Sequence, residues 1–168
     1  MTYTVILYQT RLTMTTDAET PLAAARQRAE TSPMPYAGAA TVAEAYALLQ
    51  AHPEARLIDV RTRAERDWIG RVALERDQEV GVEWNLYPGG SQNPHFLEQL
   101  AAVAQPQQIL LFLCRSGVRS RHAATLATEN GYANCFDILE GFEGDKDAAG
   151  HRKTVGGWCV AGLPWVGA

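Results

Sequence analysis

Residues 109–120 read Ile109, Leu110, Leu111, Phe112, Leu113, Cys114, Arg115, Ser116, Gly117, Val118, Arg119 and Ser120. Five consecutive apolar residues that run into polar turn chemistry predict a buried strand. A helix-like stretch, 120–130, comes after the turn, so the order is strand, tight loop, helix. At such a junction backbone N–H groups curl around one point, and the helix directs its positive end to the same place. A cysteine held there is acidified, and Arg115 and Arg119 beside it favour the thiolate, the reactive form. A cysteine used only for packing has no need of a glycine-containing turn with two cations and two serines. Cys114 is therefore the candidate nucleophile. Arg115, Ser116, Gly117, Val118, Arg119 and Ser120 form the candidate cradle for an anionic substrate.

Upstream, Thr41 and Glu44 have the spacing of a capping box ahead of Val42, Ala45, Leu48 and Leu49, which predicts a helix over 41–51. His52 and Pro53 stop it, and 57–60 reads as a short buried strand with Asp59 and Arg61 at its carboxyl end. Sites in open α/β sheets form outside the carboxyl ends of the strands, which puts Asp59, Arg61 and Glu65 beside the Cys114 loop as supports. A further strand is expected over 82–85. After the turn Pro88, Gly89, Gly90, Ser91, Asn93 is expected to cap a helix with Pro94 at its first position and Phe96, Leu97, Leu100 and Val103 on its apolar face. Gly131 ends the helix after the cysteine loop, and 136–139 reads as the last strand. Alternating strands and helices predict an α/β fold, a mostly parallel sheet flanked by helices on both faces.

With 168 residues, 46% of them hydrophobic, the chain is long enough for one domain with a real core. A net charge of −4 offers no general attraction to nucleic acid or to an anionic membrane, so any anion site must be local. The cysteines at 114, 135 and 159 lie too far apart for a CxxC motif, and their odd number argues against a disulfide framework. This usage predicts a reducing, cytoplasmic setting, and neither an export signal nor a membrane-spanning run is visible. Residues 1–37, rich in Thr and Ala with Pro21, Pro33 and Pro35 and with a helical stripe only from Leu22 to Ala29, are expected to be a loosely ordered extension. Met14 is an alternative start within it, and the folded domain is expected over 38–166.

Taken together, these residues resemble the rhodanese family of sulfurtransferases. The matching pieces are Leu57, Ile58, Asp59, Val60 and Arg61 with Glu65 after them, then the loop from Cys114 to Ser120. Ala123, Ala124, Gly131, Tyr132, Leu139, Glu140, Gly141 and Phe142 extend the match, as do the closing Gly162, Leu163, Pro164 and Trp165. The resemblance implies a single rhodanese-like domain in which the loop cysteine carries a persulfide, with no metal and no cofactor. Where many relatives have Gly-His-Ile, this chain departs with Trp68, Ile69, Gly70 and Arg71.

The implied reaction is covalent and ping-pong. The Cys114 thiolate attacks the outer sulfur of thiosulfate or a persulfide donor, and a thiophile such as cyanide, a thiol or a protein cysteine then removes it. Arg115 and Arg119 are expected to draw in the donor. A different class, a sulfur relay fed only by protein persulfides or a recognition module, uses the same fold. A cysteine-dependent phosphatase or arsenate reductase is disfavoured by spacing. That pattern has five residues between Cys and Arg, whereas four separate Cys114 from Arg119.

Other candidates are weaker. His122 lies beyond the loop, and Cys135 is expected in the core. Cys159, in the glycine-rich tail, would resolve an oxidised or persulfidated Cys114 only if the tail folds over the site. Trp158 and Trp165 predict a tail packed on the body. Asp145 and Asp147 lack the glutamate a calcium loop requires at its twelfth position.

Overall fold

A computed structural model of the chain describes residues 19–167. In chain order the elements are α1 (Glu19–Thr31), β1 (Gly38–Ala40), α2 (Val42–Ala51), β2 (Arg56–Asp59), α3 (Arg63–Ile69) and β3 (Arg71–Val72). They continue as β4 (Glu79–Gly81), α4 (Phe96–Val103), β5 (Ile109–Leu113), α5 (Val118–Glu129), β6 (Asn134–Ile138) and β7 (Trp165–Val166). Five strands form one parallel sheet in the order β1-β6-β5-β2-β4. β3 and β7 pair antiparallel as a separate ribbon.

β5 is the middle strand, which is why it reads as an unbroken apolar run. Leu110, Leu111, Phe112 and Leu113 are all fully buried. Side chains alternate between the faces of the sheet. Leu111 and Leu113 join the cluster under α1 and α2, while Leu110, Phe112 and Cys114 join the one under α4 and α5. The same alternation sends Phe136 and Ile138 of β6 to the first face and Cys135 to the second. Helices thus cover both faces, as the sequence predicts.

The Thr41–Glu44 capping box is formed at the start of α2. Other expectations need correction. The strand expected over 82–85 lies at Glu79–Gly81, where glutamate and glycine conceal it. Val82 and Trp84 still donate to the backbone of Asp59 and Val60, so pairing continues irregularly through the expected stretch. Asn93 caps a turn rather than the helix: its Oδ1 accepts from the His95 N–H at 3.0 Å, and α4 begins at Phe96.

Within the stretch expected as a loose extension, residues 1–18 lie outside the described residues. From Glu19 the chain forms α1, whose Ala25 is fully buried. Gly38 permits that contact, because a Cβ there would collide with the Ala25 carbonyl oxygen. Helix α1 is therefore packed on the body despite its weak apolar stripe. The tail also folds back. Trp158 is buried edge-on to Tyr46, with ring centroids 6.0 Å apart, and its Nε1 donates to the Pro164 carbonyl at 2.9 Å.

Candidate functional site

Leu113 makes the last β5 pairing, opposite Asp59 of β2, and the chain leaves the centre of the sheet at Cys114. The turn into α5 closes through Gly117 at φ 89°, where a Cβ would collide with the Leu139 carbonyl oxygen. Only glycine satisfies both the positive φ and that approach. Its N–H donates to Cys114 Sγ at 3.0 Å, and Ser120 Oγ, in the first turn of α5, lies 3.3 Å from the same sulfur. Cys114 is 1% exposed, so only a slender reactant reaches the sulfur.

The turn after β6 forms the floor beneath this loop. The Phe142 N–H donates to the Cys114 carbonyl at 2.8 Å, and the Glu143 N–H to the Arg115 carbonyl at 3.0 Å. Gly141 makes the contact possible, since a Cβ there would sit 2.7 Å from the Cys114 carbonyl oxygen.

The expected supports act from two directions. Asp59 and Arg61 are fully buried and paired, with Arg61 Nη2 2.6 Å from Asp59 Oδ2 and 2.9 Å from the Gly70 carbonyl. The Arg61 guanidinium lies 4.0 Å above the centroid of Phe142. The pair therefore braces the residue that holds the Cys114 carbonyl, on the sheet face opposite to the sulfur.

Glu65 is bound to Arg119 by two hydrogen bonds, of 2.6 and 2.7 Å. It also closes a capping box with Thr62 at the start of α3. Arg119 thus ties α5 to α3. Arg115 is exposed.

Burial pushes the Glu65 carboxyl up, but the Arg119 guanidinium and the Thr62 N–H outweigh it and hold the carboxyl at about 2. A depressed carboxyl contributes stability that is complete above its unfolded value of 4.5 and is lost as pH falls towards 2. Glu65→Gln is expected to lower the urea midpoint at pH 7 by the equivalent of about 3 kcal/mol, with the gap to wild type closing between pH 4.5 and 2. A constant gap across that range would rule out the ion pair as its source.

Several residues fall elsewhere. Cys135 is buried, and burial pushes its thiol up to about 11. Cys159 packs against the α1/α2 cluster, whereas Cys114 belongs to the other face, so the tail does not bring the two sulfurs onto one side of the sheet. His122 stacks on Trp84, with ring centroids 6.3 Å apart. A cavity of about 880 Å³ runs beside β4 among Arg56, Arg66, Arg71 and Arg76, and no residue of the 114–120 loop lines it.

Sequence reasoning passes over Asp137 of β6, which is fully buried next to the α5-facing cluster. The available signal is a carboxylate at a core-facing position of an apolar strand.

The rhodanese-like domain family model matches residues 41–148. The chain is 34% identical over 125 residues to an uncharacterized protein of Rickettsia conorii, RC0915, spanning 73% of this chain and 91% of that one. The crystal structure of Rv0390 from M. tuberculosis is similar at a TM-score of 0.73 and 41% identity, covering 79% of this chain and 99% of that chain. A shorter match, 36% identical over 74 residues, joins 43% of this chain to 55% of the thiosulfate sulfurtransferase GlpE of Haemophilus influenzae.

Proposed function

The chain belongs to the rhodanese-like domain family, and from that premise we propose that it is a sulfurtransferase whose Cys114 takes a sulfane sulfur from thiosulfate or a persulfide and passes it to a thiophile. The carrying observation is the convergence of the Gly117 N–H and the Ser120 hydroxyl on Cys114 Sγ at 3.0 and 3.3 Å. Such a site stabilises sulfur as an anion. Thiosulfate is favoured as donor by the likeness to GlpE and by the narrow access to the sulfur.

In the first half-reaction the thiolate attacks the outer sulfur of thiosulfate. The attacking electron pair becomes the new S–S bond, the bond to the sulfonate sulfur breaks, and sulfite leaves with the pair of the broken bond. The persulfide keeps one negative charge, which the positive end of α5 favours. Arg115, exposed at the mouth, steers the dianion, while Arg119 and Glu65 keep the loop in shape. In the second half-reaction cyanide or a thiol takes the terminal sulfur and returns the thiolate.

The proposed catalytic unit is 38–166, with α1 docked on it. Among the described residues no helix is long and apolar enough to cross a membrane. The cysteine usage favours a reducing compartment, the cytoplasm.

Two measurements on the purified protein test the donor. Incubation with thiosulfate alone is expected to add the mass of one sulfur atom, and cyanide to discharge it as thiocyanate. Loading by a low-molecular-weight persulfide but not by thiosulfate would assign the donor to persulfides. Loading by neither would overturn the reading.

A further inference from the structure

Four guanidiniums line the cavity of about 880 Å³ beside β4, on a chain whose net charge is −4. They differ in how they are held. Arg66 is neutralised, with Nη2 2.7 Å from Glu79 Oε1 and Nε 3.6 Å from Asp59 Oδ2. Arg56, Arg71 and Arg76 form no ion pair among the described residues. Arg56 Nη1 donates instead to the Asp77 carbonyl, and Arg76 Nη1 to the Gln50 carbonyl at 3.1 Å. A backbone carbonyl fixes the direction of a guanidinium without cancelling its charge.

The frame around these cations is rigid. Gln78 is 1% exposed, and its Nε2 donates to the carbonyls of Leu49, His52 and Ala55 at 2.9 to 3.1 Å. This locks the turn that carries Arg76 and Asp77 to the end of α2. β4 itself is the outermost strand and pairs only with β2. Leu74, Val80 and Val103 give the cavity an apolar side. Its carboxylates are Glu79, already held by Arg66, and Glu75 and Asp77, which are exposed. The volume falls in the range of sites that hold whole organic molecules.

We propose that this cavity binds an organic diphosphate, with its phosphates on Arg56, Arg71 and Arg76 and its body beside Val80 and Val103. Guanidinium forks match phosphate oxygens in paired, charge-assisted hydrogen bonds. Three of them offer more N–H donors than the terminal oxygens of one phosphate can take, so two linked phosphates use the site more fully. Glu75 and Asp77 work against any anion, and the second phosphate charge is what overcomes them. No residue of the 114–120 loop lines the cavity, so the site stands apart from the proposed sulfur transfer and is tested without it.

The experiment is calorimetric titration of the purified protein with adenosine diphosphate, pyrophosphate and adenosine at low salt, where exposed charges are least screened. The proteins are wild type, Arg71→Gln, Arg76→Gln and the double variant Glu75→Gln with Asp77→Asn. Both arginines are exposed, so their substitution leaves the core intact. Adenosine diphosphate is expected to bind with a Kd below about 1 mM and roughly 3-fold or more tighter than pyrophosphate, and adenosine alone not to bind. Each arginine substitution is expected to weaken the diphosphate by about 10-fold, and removal of the two carboxylates to tighten it by roughly 2- to 5-fold. No binding of either phosphate, or binding that neither arginine substitution weakens, would overturn the proposal. Pyrophosphate binding as tightly as adenosine diphosphate would overturn the organic body. Amide resonances locate the ligand: shifts are expected at Gly81 and Val103, and shifts confined to the 114–120 loop would overturn the proposal in favour of the Cys114 cradle.

Discussion

Cys114→Ser is expected to abolish transfer of sulfur from thiosulfate to cyanide, with a loss of at least about 10³-fold in kcat/KM. The fold should survive the change. Serine is slightly smaller, accepts from the Gly117 N–H as the sulfur does at 3.0 Å, and leaves the Phe142 bond to the Cys114 carbonyl untouched. What it lacks is sulfur: a hydroxyl is a poorer nucleophile than a thiol and holds no transferable persulfide.

The other two cysteines are the controls. Burial pushes the Cys135 thiol up to about 11 and also raises that of Cys159, so both are protonated at neutral pH and poor nucleophiles. Cys159→Ser is therefore expected to keep wild-type turnover within about twofold and still accept one sulfur. Intact mass after thiosulfate, with and without the Cys114 substitution, decides the matter. A sulfur adduct that persists in Cys114→Ser, or that disappears in Cys159→Ser, would move the chemistry away from the loop.

The position of the candidate nucleophile is legible in the sequence because two independent patterns meet there. An uninterrupted apolar run marks a strand buried on both faces, and a glycine-containing polar turn marks the point where that strand ends. The capping box at Thr41 is legible for a similar reason, since its signal is local. β4 is not, because Glu79 and Gly81 lack strand propensity around the single Val80, and the segment is held by its pairing to Leu57, Ile58 and Asp59. α1 is concealed by its want of a strong apolar stripe. Its docking depends on the missing Cβ of Gly38, a contact between separate elements that no local pattern announces. Arg119 shows the remaining gap. Its charge is visible in the sequence, but only the three-dimensional placement of Glu65 reveals that this charge is committed to another element.

The Asp59–Arg61 pair carries the largest expected effect on stability. Both side chains are fully buried, and Arg61 Nε and Nη2 hold the two oxygens of Asp59 at 2.6 to 3.2 Å. Asp59→Ala would leave the guanidinium in the core with the Gly70 carbonyl as its remaining hydrogen-bond acceptor. Stranding one partner of a buried pair costs about 3–5 kcal/mol, a large part of the ~5–15 kcal/mol by which a typical domain is stable. Arg61→Met is expected to cost a similar amount for the converse reason, partly relieved because Arg66 Nε lies 3.6 Å from the same carboxylate.

Replacing both residues, Asp59→Leu with Arg61→Met, removes the stranded charge and is expected to recover most of the stability. Urea midpoints of the two single variants and the double variant measure this. A cost below about 1 kcal/mol for Asp59→Ala would show that the pair does not brace the core. Turnover of the double variant separates two ways in which the pair supports the loop. Filling the space under Phe142 with apolar atoms should suffice if packing alone keeps its N–H on the Cys114 carbonyl, and activity then returns with stability. Activity that stays low in a stable double variant would instead assign the support to the guanidinium held 4.0 Å over the Phe142 ring.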